Sequence, residues 1–155
     1  MALAAWLAAC AGPRPWDTPI RVSEVDEDAD PARRASMDWV VRGLDEEPAR
    51  PQVATGRYER AIQVDPTNPY AYLALARHHA RSDPDRALEY LDQAEALLES
   101  EDALSPRVDP HLLGIRGTAL RARGDVVEGD ALLAEARALA PEEWGDGRLS
   151  PEELR

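Results

Sequence analysis

The sequence has 155 residues, 44% hydrophobic and 31% charged, enough for one modest domain with tails. Its 30 acidic residues outweigh 18 basic ones, all arginine, and the net charge of −12 disfavours nucleic acids and anionic lipid surfaces as partners. With Cys10 the single cysteine and only three histidines, an intramolecular disulfide and a cysteine-built metal cluster are excluded.

Residues Ala2 to Ala9 form an uncharged apolar run. It is too short to span a bilayer but falls within the range of a signal-peptide hydrophobic region. Its ending, Leu7-Ala8-Ala9-Cys10, resembles a bacterial lipobox: a branched apolar residue, two small residues, then cysteine. The resemblance implies removal of residues 1–9, a lipid on Cys10, and, with Ala11 next, an outer-membrane lipoprotein facing the periplasm. The alternative is a soluble, cytoplasmic protein with an apolar end and a stray cysteine.

Residues 10–30 carry Pro13, Pro15 and Pro19, then an acidic cluster from Glu24 to Asp30, with neither helical nor strand periodicity. Such a stretch buries too little to offset its ordering entropy, so a disordered tether is expected. A flexible chain of that length would hold a domain roughly 25 Å from its anchor.

From Asp30 onward the helix starts are marked regularly. Asp30-Pro31, Asn68-Pro69, Asp83-Pro84, Asp109-Pro110 and Ser150-Pro151 each place a capping side chain before a proline. The side chain satisfies free first-turn amides, and proline has no amide to leave unpaired. Gly124-Asp125 marks one helix end and the next start. Between the marks, apolar residues recur every three and four positions, as in Ala87, Leu88, Leu91, Ala94, Leu97 and Leu98. The expected fold class is all-α.

The helix pairs also resemble one another. One unit gives Trp39, Gly43, Ala54, Tyr58, Ala61 and Pro66; the next Tyr72, Leu75, Ala76, His79, Ala87, Leu91 and Ala94; the third Leu113, Gly117, Leu120, Gly129, Leu133, Ala136 and Pro141. This alternation of large and small positions resembles the tetratricopeptide repeat over residues 31–141. It implies about three antiparallel helical hairpins stacked as a short α-solenoid, with an insertion near residues 99–108. Too little chain follows for a full polar capping helix, so the last hairpin is expected to expose apolar surface and invite either a partner or self-association.

The resemblance also implies a concave groove, lined by the first helix of each hairpin, that takes a peptide. Carried over, its lining is Tyr70, Leu73, Arg77, Arg81, His111, Thr118 and Arg121, with Met37, Val40 and Leu44 at the apolar entrance. The arginines would suit an acidic or carboxyl-terminal peptide, unless they are ordinary solvated charges paired with nearby acids. Adjacent His78 and His79 diverge by about 100° on a helix, so they cannot share a site, and His79 occupies a packing position.

Residues 142–155 form a C-terminal tail in which Asp146, Gly147 and Glu153 resemble the second half of an EF-hand loop. Asp146 and Glu153 are the weak candidates for a calcium site. The competing reading is a turn followed by a Ser150-x-x-Glu153 capping box. No metal-ligand spacing, Gly-rich phosphate loop or nucleophile with an evident base stands out, so a protein-binding scaffold without cofactor is expected, not an enzyme.

Overall fold

A computed structural model describes residues 18–24, 30–101 and 106–155. Cys10, the apolar run before it and most of the expected tether lie outside the described residues. The described chain is all-helical. A 3₁₀ turn, Val22–Glu24, precedes α1 (Pro31–Glu46), α2 (Pro51–Val64), α3 (Pro69–His79), α4 (Pro84–Ser100), α5 (Asp109–Arg123), α6 (Val126–Leu139), α7 (Pro141–Trp144) and α8 (Pro151–Leu154).

The capping residues explain most of these boundaries. Asp30 accepts from the amides of Ala32 and Arg33, Asn68 from Tyr70, Asp83 from Arg86 and Ser150 from Glu153. Gly124, at a left-handed φ of 112°, closes α5. Two starts differ from expectation. α5 begins one residue early, with Val108 as cap, and Asp125 does not cap α6 because its carboxylate pairs with Arg123 at 2.7 Å. The start of α2 at Pro51 has no side-chain cap, which is why no polar-proline pair announces it.

Neighbouring helices pack as successive hairpins, α1 with α2, α3 with α4 and α5 with α6, in the manner of a helical-hairpin solenoid. Small residues let each pair close. Gly43 lies beneath the ring of Tyr58, Ala76 and Ala87 are fully buried, and Gly117 and Gly129 bring the backbones of α5 and α6 together. The large partners Tyr58, Leu75, Leu91 and Leu133 are buried beside them. Asn68 joins the first two hairpins: it caps α3 and also donates to Ser36 Oγ at 2.8 Å, which in turn donates to the Ala61 carbonyl.

Past α6 the chain does not trail away. Trp144 buries its indole on Gly114 of α5, Leu149 and Leu154 are buried, and α8 packs on α1. Arg155 finishes in an ion pair with Asp45 at 2.5 Å. Residues 18–24 of the expected tether are likewise folded onto the domain. Val22 is buried, the Ile20 amide donates to Arg107 O, and the Ser23 amide donates to Arg155 O, both at 2.8 Å. At the far end, the second helix of the last hairpin leaves Val126, Val127 and Leu139 exposed.

Candidate functional site

The C-terminal segment crosses the first helices of all three hairpins, where an open peptide groove was expected. That placement decides the fate of the expected lining. Tyr70 and Leu73 are core residues, as are Met37, Val40 and Leu44. They belong to one buried cluster with Val22 and the tail residues Trp144, Leu149 and Leu154. His111 is fully buried, facing the Ile20 carbonyl through Nε2 at 3.0 Å and Trp144 through Nδ1 at 3.4 Å. A neutral imidazole with its proton on Nε2 satisfies both contacts, giving to the carbonyl and receiving from the indole N–H. Burial, the largest influence, pushes His111 down to about 4 despite the opposing carbonyl bond. His111 therefore fastens the N-terminal strap to the C-terminal tail.

Arg77 is also engaged. Its guanidinium pairs with Glu47 and donates to the Leu149 carbonyl at 3.3 Å. Glu47 lies just beyond α1 and collects three partners: Arg77, the Tyr58 hydroxyl at 2.6 Å, and His78 Nδ1 at 3.0 Å. Burial by itself would raise the Glu47 carboxyl. The His78 bond, the Arg77 charge and the Tyr58 hydroxyl outweigh it and hold the group at about 2. Burial and the Glu47 charge together drive the Tyr58 phenol up. This network ties the first hairpin, the second hairpin and the tail at one point.

On its far side, His78 Nε2 meets Thr55 Oγ1 at 3.0 Å, so a hydroxyl, an imidazole and a carboxylate stand in line. Sequence reasoning missed this chain, because 31 residues and a turn separate Glu47 from His78. Its layout resembles a nucleophilic triad, yet Thr55 lies within α2 and also donates to Pro51 O at 3.2 Å. A cavity of about 220 Å³ is lined by Glu47, Arg77 and His78, but Thr55 is not part of its wall. The helical amides around Thr55 are taken up by α2, leaving no donor pair for an oxyanion. The geometry is that of a structural relay. His79, in contrast, stacks on Tyr90 with ring centroids 5.9 Å apart and is pushed down chiefly by burial.

Arg81, Thr118 and Arg121 are what remain of the expected groove on an accessible surface. They line a second, larger cleft of about 380 Å³ together with Arg137 of α6 and with Asp146, Gly147 and Arg148 of the tail. Thr118 donates to its own helix at Gly114 O, and Arg121 pairs with Asp130. Gly147 turns the chain at a φ of 77° and leaves room for the Arg137 guanidinium against its α-carbon. Sequence reading brought two of the four cleft arginines together. Arg137 and Arg148 were missed because only the folding back of the tail places them there.

The EF-hand-like residues are otherwise employed. Asp146 accepts from the Arg148 amide at 2.8 Å, forming a local turn. Glu153 completes a reciprocal capping box with Ser150. Asp146 and Glu153 thus serve separate local structures. Among the described residues no group of three or more histidine, cysteine or acidic side chains is gathered as a metal would need.

No protein-family model matches the chain, and no curated protein or solved structure matches it.

Proposed function

We propose that this chain is a protein-binding scaffold, a short tetratricopeptide-like stack that assists an envelope assembly from a lipid anchor at Cys10. The observation that carries this reading is the arginine-lined cleft opening beside Arg81, Thr118 and Arg121 on a chain of net charge −12. A cationic recess on an acidic protein selects acidic partner segments by charge. The lipobox-like Leu7-Ala8-Ala9-Cys10 supports the anchor, and two or three acyl chains would give stable membrane attachment.

Two measurements test this. Intact mass of the native protein should show cleavage before Cys10 and added acyl mass; an unmodified N-terminus would leave a soluble adaptor instead. Affinity capture from native membranes should recover a defined partner that Arg81→Glu with Arg121→Glu releases. Recovery of the same proteins with both forms would remove the cleft from the binding surface.

A further inference from the structure

Arginines without an acidic partner are unexpected in a chain where carboxylates outnumber them 30 to 18. Nevertheless Arg81, Arg137 and Arg148 form no ion pair with any described residue, and all three face the cleft closed by the tail. Arg121 stands at the same cleft with Asp130 as its partner. Gathering like charges is unfavourable unless something negative joins them. The lining is not uniformly cationic, because Asp146 belongs to it. One Asp146 oxygen takes the Arg148 amide, and the other receives no hydrogen bond from a described residue. A ligand fitted to this set presents carboxylates to the guanidinium forks and an N–H donor to Asp146. An inorganic phosphate supplies anionic oxygens for the guanidinium forks and no N–H, its own O–H being the one group that reaches for Asp146. Ala122 and Leu133 add apolar surface to the lining.

We propose that the cleft binds an extended acidic peptide segment of a partner protein, with carboxylates on Arg81, Arg137 and Arg148 and a main-chain amide on Asp146. The assignment rests on the scaffold reading above and adds the chemistry of the ligand. It places recognition in a site that the tail itself completes through Asp146 and Arg148.

Fluorescence anisotropy of a fluorescein-labelled hexaglutamate peptide, titrated with the full-length chain, tests it. Saturable binding that weakens with added salt is expected. R137Q/R148Q should weaken it at least tenfold, and R148Q alone, at an exposed position that leaves the fold undisturbed, several-fold. R42Q/R60Q removes equal charge elsewhere and should leave affinity within twofold. Absence of saturable binding, equal losses in both double variants, or displacement by inorganic phosphate at lower concentration than by unlabelled peptide would each overturn the assignment. A membrane partner still held by R137Q/R148Q would preserve the scaffold reading and refute the cleft. Peptide binding that persists while no partner is captured would do the reverse.

Discussion

The indole of Trp144 lies flat against the bare α-carbon of Gly114, so closely that a β-carbon at position 114 would overlap its six-membered ring. That contact helps anchor the tail to the third hairpin, beside the indole N–H on His111. Gly114→Ala should therefore expel the indole, costing about 2 kcal/mol through overpacking. A lower urea midpoint with a red-shifted tryptophan emission would show it; an unchanged spectrum would mean that the tail is held elsewhere.

The α5–α6 crossing gives a sharper contrast between glycines. A β-carbon on Gly117 would meet Gly129 O at 2.8 Å, and one on Gly129 would meet Gly117 O at 2.7 Å. Both contacts are with backbone, which cannot move aside cheaply. Gly117→Ala is expected to destabilise by about 2 kcal/mol. Gly56, exposed within α2, has nothing within 4 Å of its β-position, so Gly56→Ala should stabilise by about 0.5–1 kcal/mol through helix propensity. Thermal unfolding of the two variants should shift in opposite directions.

Acid should destabilise the protein over two pH windows. His111 titrates at about 4 when folded against 6.5 when free, so between those values the unfolded chain binds a proton that the folded chain refuses. Its contribution is complete above pH 6.5 and declines as the pH falls toward 4, with His79, also lowered by burial, acting in the same sense. Glu47 is held at about 2 against 4.5, so its contribution is present above pH 4.5 and is lost as pH falls toward 2. His111 and Glu47 each account for at most about 3 kcal/mol. Melting temperature against pH should lose its upper inflection in His111→Gln and its lower one in Glu47→Gln.

Removing residues 141–155 should uncover the face that Trp144, Leu149 and Leu154 now occupy, including Gly114 and Ile115. The shortened chain is expected to bind a hydrophobic dye such as anilinonaphthalene sulfonate and to melt at a lower temperature. Retention of the full melting temperature without dye binding would mean that the tail adds no stability.

The sequence by itself determined the helices and their pairing. Capping side chains act on the amides of the next turn, and small residues at three- and four-residue spacing define a helix face, so both signals are local. That is why the starts at Pro31, Pro69, Pro84 and Pro151 and the notches at Gly43, Ala76 and Gly117 could be read directly. Only the tertiary structure decided which face stays open. The tail reaches Arg77 and Asp45 from 72 and more residues away, and its turn carries Arg148 to the side of Arg81 and Arg121. Whether Leu73 lines a groove or fills a core depends on what lies over it, and no local pattern encodes that. The burial of apolar surface contributed by distant segments settles it.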